Sequence, residues 1–126
     1  WFGLNRMRLD NQGLVDANGT HNAMLVELYG ARDSLSGVNS GTLQASGGGT
    51  LLIYESDFDN AAGIVQALDG SWVVVDGSRL NGGTVTTAGT GTVRVRNDSV
   101  FKDVTSTGQV VQNDGDTAFL EGTLTN

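Results

Sequence analysis

The sequence predicts an all-β fold, a parallel β-solenoid of about five coils, and three observations lead to this fold class. The chain has 126 residues with 19 glycines and no proline, so tight corners are frequent and no proline removes a backbone donor from a strand. Apolar and polar residues alternate over short segments, as is typical of β-strands. The same residue types also return at the same positions in five successive repeats, which indicates a repeat architecture.

The repeat becomes visible when five glycines are aligned as anchors. They are Gly13, Gly41, Gly63, Gly83 and Gly108, at steps of 28, 22, 20 and 25 residues. Two residues after each anchor comes an apolar residue, in order Val15, Leu43, Val65, Val85 and Val110. After a Gly or Asp turn, two more apolar columns lie ten and twelve residues beyond the anchors: Ala23 and Leu25, Leu51 and Ile53, Val73 and Val75, Val93 and Val95, Ala118 and Leu120. In three repeats an asparagine precedes the anchor by two residues, namely Asn11, Asn39 and Asn81.

Each repeat is thus a short alternating strand, a corner, and a second, more apolar strand. One further apolar residue before each anchor could open a third strand: Leu9, Val38, Phe58, Leu80 or Val104. Strands this short cannot bury a core within one repeat, but stacked repeats pair their equivalent strands and form continuous interior columns. We therefore expect one solenoid segment over residues 1–126. An antiparallel sandwich or barrel would explain the alternation, but not the return of the same residue types.

Charge and composition exclude several function classes. The net charge is -7 and there is no cysteine, which argues against a nucleic-acid or anionic-membrane partner and excludes disulfides and thiol chemistry. No apolar run reaches the roughly 18 residues that a membrane-spanning helix needs. The start of the sequence does not have the pattern of a signal peptide, so we expect an interior segment or a processed product.

The repeat unit resembles a known group of proteins. Residues 39–48, Asn-Ser-Gly-Thr-Leu-Gln-Ala-Ser-Gly-Gly, and the later Gly83-Thr84-Val85 and Gly91-Thr92-Val93 resemble the repeats of right-handed β-helices in bacterial autotransporter passengers and filamentous-haemagglutinin-like adhesins. The resemblance covers nearly the whole chain from Leu9 onward. It implies a right-handed coil, a longer parent chain or assembly, and an extracellular or bacterial cell-surface location. A repeat specifies stacking rather than function.

An interaction surface is predicted on the outside of the second strand. If positions ten and twelve point inward, position eleven points outward, and it holds Met24, Leu52, Val74, Arg94 and Phe119, with Trp72 close by. Stacked in register, the apolar members form an outer apolar stripe of Met24, Leu52, Val74, Phe119 and Trp72, and exposed apolar patches usually mark contact surfaces. Two alternatives are that residues 29–35 fold over the stripe, or that this strand is buried on both sides.

The expected partners are copies of the chain itself or adjacent solenoid coils, since the open strand edges at the two ends of a stack can template further pairing. Surface glycans and host receptors are further candidates. Neither 1–8 nor 124–126 contains an evident polar cap, which indicates either assembly into filaments or a sequence that stops in mid-stack.

Catalytic and metal-binding patterns are weak. The single histidine, His21, stands at a corner without a catalytic motif around it. Carboxylates cluster at Glu55, Asp57 and Asp59 and again at Asp114 and Asp116; they could serve a glycosidase or bind calcium, but acidic turn residues explain them equally. We expect no cofactor and no enzyme activity.

The function expected from the sequence is that of a non-catalytic structural module of a secreted or cell-surface protein. It would form a rigid rod for adhesion, for a stalk, or for assembly of a filament or sheath. The alternative is a β-helix that binds or cleaves carbohydrate, as a lyase or a glycosidase.

Overall fold

The structure, a computed structural model, describes residues 7–28 and 37–126. These two ranges contain sixteen strands and no helix, and accordingly no helix in them could cross a membrane. All strand pairs are parallel and form three sheets. The predicted all-β, parallel solenoid is confirmed; the right-handedness of the coil stays a prediction.

Each sheet takes one strand from every coil. Sheet 1 contains β1 (Leu9–Asn11), β4 (Gly37–Asn39), β7 (Asp57–Asp59), β10 (Arg79–Asn81), β13 (Ser99–Lys102) and β16 (Ala118–Glu121). Sheet 2 contains β2 (Leu14–Ala17), β5 (Thr42–Ala45), β8 (Ile64–Ala67), β11 (Thr84–Thr87) and β14 (Thr105–Ser106). Sheet 3 contains β3 (Met24–Glu27), β6 (Thr50–Tyr54), β9 (Trp72–Asp76), β12 (Thr92–Arg96) and β15 (Val110–Gln112). The chain therefore completes five three-strand coils, and β16 begins a sixth.

The core consists of columns of equivalent residues that run along the solenoid axis. Sheet 1 contributes Leu9, Gly37, Phe58, Leu80, Phe101 and Leu120. Sheet 2 contributes Val15, Leu43, Val65, Val85 and Ser106. Sheet 3 contributes Met24, Leu51, Val73, Val93 and Val110, and beside them Val26, Ile53, Val75, Val95 and Gln112. In the middle coils the apolar side chains of these columns are buried, and each contributes about 1.5–3 kcal/mol to folding.

The anchor glycines are explained by close backbone approach between coils. A Cβ atom at Gly41 would collide with the carbonyl oxygen of Gly13, the equivalent residue one coil below. At Gly83, φ is +73° and a Cβ atom would collide with the carbonyl oxygen of Asn60. At Gly41, Gly63 and Gly83 any other residue would push neighbouring coils apart, whereas the equivalent places in the first and fifth coils are not constrained to glycine in this way.

A ladder of buried asparagines joins the first coils at the corner between sheets 1 and 2. The Asn11 Nδ2 donates to Asn39 Oδ1 at 2.7 Å, and the Asn39 Nδ2 donates to Asn60 Oδ1 at 2.6 Å. Asn60 continues the series by donating to the carbonyl of Gly82 at 3.1 Å. Because every member is hydrogen-bonded, these polar groups can be buried without an unsatisfied donor or acceptor.

A second ladder, of serines, lies at the corner between sheets 3 and 1. Ser56, Ser78 and Ser99 are fully buried. The backbone N–H groups of Leu28, Ser56 and Ser78 donate to the serine hydroxyls of the following coil at 3.0, 3.0 and 3.2 Å. The hydroxyls in turn donate to carbonyls that include Tyr54, Asp76 and Arg96. The ladder thus satisfies backbone groups at a corner where sheet pairing is interrupted.

The predicted register is right in the middle coils and wrong in the fifth. Val85 is paired with Ser106, not with Val110, so Gly108 is not an anchor and the last step is 21 residues. Val104 occupies the place equivalent to Gly83 and lies outside the strands. Four residues join β11 to β12, whereas the three residues Thr107, Gly108 and Gln109 join the shorter β14 to β15. Since the chain reaches sheet 3 earlier in this coil, Ala118 and Leu120 lie in sheet 1 instead of sheet 3.

The first coil and the asparagine column also differ from the prediction. Met24 is paired with Leu51, so Met24 and Val26 point inward and Ala23 and Leu25 do not. The cause is a corner one residue longer than that of the next coil. Asn60, not Asn81, is the third ladder asparagine, since Asn81 is paired with Asp59. Val38 lies in the third strand as predicted, but is 46% exposed, and Gly37 takes the inward position.

Neighbouring residues of β6 test the inward and outward assignments. Ile53→Asp places a carboxylate in the fully buried column, and because a buried unpaired charge costs several kcal/mol, we expect the protein not to fold. Leu52→Asp is the control, with an expected loss of no more than about 1 kcal/mol because Leu52 faces outward. Circular dichroism and urea unfolding report both. A folded Ile53→Asp protein would contradict the register.

The asparagine ladder is tested by Asn39→Ala. The substitution removes one of the two acceptors of Asn11 Nδ2, which keeps its bond to the carbonyl of Thr42, and removes the donor to Asn60 Oδ1, and we expect the free energy of unfolding to fall by about 2–4 kcal/mol. Asn18→Ala, at an exposed corner, serves as the control and should change it by less than about 0.5 kcal/mol. Equal effects of the two substitutions in urea titrations would show that the ladder does not stabilise the fold.

Candidate interaction surface on sheet 3

The outward side of sheet 3, here called the sheet 3 outer face, carries three rows of side chains. The central row is Leu25, Leu52, Val74, Arg94 and Val111. One flanking row is Thr50, Trp72 and Thr92, and the other, here called the charged row, is Glu27, Tyr54, Asp76 and Arg96. The face is therefore apolar at its centre, with charges of opposite sign towards its two axial ends.

The structure brings together three of the five residues predicted for the outer apolar stripe. Leu52 and Val74 are neighbours in the central row, and Trp72 stands beside them with 37% of its surface exposed. The placement of the other two was wrong. Met24 points inward and packs against the core, and Phe119 lies on β16 in sheet 1, paired with Val100. Their places in the row belong to Leu25 and Val111, and the predicted interface role of the stripe stays a prediction.

Arg94 and Trp72 form a stacked pair at one end of this face. The Arg94 guanidinium carbon lies 4.7 Å from the centroid of the Trp72 ring, within the range of a cation–π interaction. The Arg94 Nε is buried without a hydrogen-bond partner, as expected for a guanidinium held flat against an aromatic ring. The stacking gives both side chains a defined position on the surface.

The charged row is held by contacts within the chain. Arg96 Nη2 lies 3.7 Å from Asp76 Oδ2, and Asn97 Nδ2 donates to Asp76 Oδ1 at 2.6 Å. A hydrogen bond with Glu55, and then the negative charges of Glu55, Asp76 and Glu27, raise the pKa of Tyr54. The Tyr54 hydroxyl therefore keeps its proton, and its ability to donate, through the physiological range.

The histidine and aspartates considered for catalysis or calcium binding make hydrogen bonds to neighbouring residues of the chain. His21 is exposed at a corner, with its Nδ1 3.2 Å from Thr20 Oγ1. Asp57 accepts a hydrogen bond from Asn81 at 2.7 Å, and Asp59 accepts one from the N–H of Ala61 at 3.1 Å. Both lie on sheet 1, away from Arg94 and Arg96 on sheet 3. In the described parts of the chain no group of three His, Cys, Asp or Glu residues could hold a metal ion.

Two cavities are lined by residues of the described ranges, and the first reaches Val111 at the edge of the sheet 3 outer face. One of about 290 Å³ opens at the last coil between Phe101, Val110, Leu120 and Leu124, where the core columns meet solvent. The other, of about 430 Å³, is a shallow depression on sheet 1 lined by Asp57, Asp59, Lys102 and Asp103. Neither contains a histidine or a nucleophile set against a base. The sequence offers residues 29–35 as a segment that could fold over the sheet 3 outer face, but these residues lie outside the described ranges.

Comparison with protein-family models, with curated proteins and with solved structures found no match to this chain. The fold therefore rests on the parallel pairing and the stacked columns, and the resemblance to adhesin and autotransporter repeats stays an expectation from the repeat unit.

Sequence reasoning missed Leu25 and the charged row. The signal for Leu25 was present, because Met24, Val26 and Leu28 alternate as an inward series and leave Leu25 and Glu27 outward. The charged row could have been found by extending the same alternation through Tyr54, Asp76 and Arg96. The Arg94 contact with Trp72 depends on side-chain direction and had no sequence signal.

Arg94→Ala tests the stacked pair. Removing the guanidinium uncovers one face of Trp72, so we expect faster quenching of its fluorescence by acrylamide and a loss of about 0.5–1 kcal/mol in stability. The chain has one other tryptophan, Trp1, which is replaced by Phe in every sample. Lys102→Ala, on sheet 1, is the control and should leave quenching unchanged. Unchanged quenching in Arg94→Ala would contradict the stacking.

Proposed function

We propose that this chain is a non-catalytic structural module, a rigid rod segment of a secreted or cell-surface protein that serves adhesion, a stalk, or a filament or sheath. The observation that carries the proposal is the repetition of the same interior through successive coils while the exposed positions vary. A chain that repeats its interior in this way forms a long, stiff stack, and these two properties suit a structural role.

Stiffness follows from the direction of the bonds. The backbone hydrogen bonds of all three sheets run along the solenoid axis, and the asparagine and serine ladders add side-chain bonds between the same coils. Bending the rod would open bonds on one side in several coils at once. The corners that lie within the described residues are short as well, which leaves little backbone there for proteases to enter.

The sheet 3 outer face is the part of the rod that we assign to lateral contact. It combines the partly exposed Leu25 and Leu52 and an exposed tryptophan with Val74, which is 9% exposed, and aromatic residues are enriched at the centres of protein interfaces. The rod would thus provide extension through its stack and attachment through this face. Location at the surface of a bacterial cell remains part of the proposal and is carried by the repeat unit alone.

Rigidity is measured with spin labels at Asp10→Cys and Glu121→Cys, which are unique thiols because the chain has no cysteine. Both lie in sheet 1, on β1 and β16, five strand spacings apart. Because both labels project from the same outward column of sheet 1, we expect a narrow distance distribution centred on about 24 Å. A broad distribution would contradict a rigid rod.

Location and lack of catalysis need separate measurements. Antibodies against the chain should bind intact source cells as strongly as permeabilised ones, and binding only after permeabilisation would overturn the surface location.

Incubation with acidic polysaccharides should release no product, and product release would overturn the non-catalytic role.

A further inference from the structure

We infer that the occupant of the sheet 3 outer face is a second copy of this chain, packed face to face with its solenoid axis antiparallel to the first. The inference rests on the proposed lateral role of this face and names the partner and its orientation. The inference depends on the order of charged and apolar side chains along the solenoid axis. This order is complementary to itself only when the two axes are antiparallel.

The symmetry consists of a twofold axis in the interface, parallel to the strands and midway between β6 and β9. It places β3 of one copy opposite β12 of the other, and β6 opposite β9, while each row stays opposite itself. A twofold contact uses the same patch on both copies, so each residue pair occurs twice. The two copies therefore fit each other if the half of the face on β3 and β6 is complementary to the half on β9 and β12.

The charged row meets this condition. Glu27, at one axial end, comes opposite Arg96 of the second copy, and Tyr54 comes opposite Asp76. The first pair joins opposite charges at both ends of the contact. The second pair brings no like charges together, and because Asp76 is only 6% exposed and already contacts Asn97 and Arg96 of its own chain, the contact relies on the Glu27 and Arg96 pairs.

The other two rows match in shape. In the central row Leu52 faces Val74, of which 9% is exposed, and Leu25 faces the aliphatic stem of Arg94. In the third row Trp72 faces the smaller Thr50. No like charges meet in any of the three rows.

When the two solenoid axes are parallel, the facing rows are not complementary in charge. A twofold axis along the solenoid would set the central row against itself in the same coil, so that Arg94 of one copy would meet Arg94 of the other. Neither guanidinium would have an anion opposite it, and two facing cations repel. The order of charges along the axis thus selects the antiparallel arrangement.

The contact is small. Four strands about 4.8 Å apart and about five residues long cover roughly 20 by 17 Å on each copy, below the roughly 800 Å² per partner of a standard stable interface. We therefore expect a weak dimer that forms at protein concentrations of about 0.1–1 mM, and sedimentation equilibrium in that range is the measurement.

The decisive experiment is a charge exchange. In a homodimer, Glu27→Arg brings a second arginine opposite Arg96 at both ends of the contact, and Arg96→Glu brings a second glutamate opposite Glu27. Each variant alone should therefore self-associate about tenfold or more weakly than the wild type. In an equimolar mixture of the two variants both contacts join an arginine to a glutamate, and association should return to within about threefold of the wild type. Asp10→Arg, which makes the same charge change as Glu27→Arg in the same coil but on sheet 1, should dimerise like the wild type.

Two further measurements separate loss of dimerisation from loss of folding. Thermal melting checks that Arg96→Glu folds despite its contact with Asp76, and Leu52→Asp, at the centre of the contact, should be folded and monomeric both alone and in any mixture. A wild type that stays monomeric at about 1 mM, or a mixture that associates no better than its components, overturns the antiparallel dimer. The spin-label distance between residues 10 and 121 is independent of dimerisation, so the rigid-rod proposal would survive that failure.

Discussion

The structure depends on one constraint, that equivalent positions of successive coils must stack in register about 4.8 Å apart. Each coil alone is too short to enclose a core, so every inward side chain is buried by the coil above and the coil below. This is why Leu51, Val73 and Val93 are fully buried in a chain with only three short strands per turn. It is also why glycine recurs at one corner, since the carbonyl of the neighbouring coil fills the space of a side chain.

Apolar columns alone would not determine the register. A shift of two residues along a strand would still place valine or leucine inside, because the inward positions of sheet 3 all have similar size. The ladders of Asn11, Asn39 and Asn60 and of Ser56, Ser78 and Ser99 remove this freedom. A shifted coil would leave buried amide, hydroxyl and backbone groups without partners, at about 1–3 kcal/mol each. The apolar columns therefore supply most of the stability, and the polar ladders select one alignment.

The fold could be predicted from the sequence because stacking repeats a pattern, whereas corner length does not repeat. The middle coils were aligned correctly from Leu43 to Val85, and Leu52, Val74 and Trp72 were placed together on the outside of sheet 3. One added residue before Met24 reversed inward and outward positions there, because the side-chain period of a strand is two. A shorter corner at Gly108 moved Phe119 to another sheet. The alternation of Met24, Val26 and Leu28 signals the first change, whereas the second leaves no local sequence signal.

The two ladders have a direction. In the serine ladder each backbone N–H donates to the hydroxyl of the following coil, and the asparagine amides donate in the same sense. The asparagine amide dipoles therefore add along the axis, as peptide dipoles add in a helix, whereas the Ser78 and Ser99 hydroxyls donate back to the carbonyls of Ile53 and Val75 in the preceding coil. A rod built in this way is electrically polar, with unlike ends, and a coil can be added at either end only in one orientation. Two such rods that lie side by side have the lower electrostatic energy when they point in opposite directions.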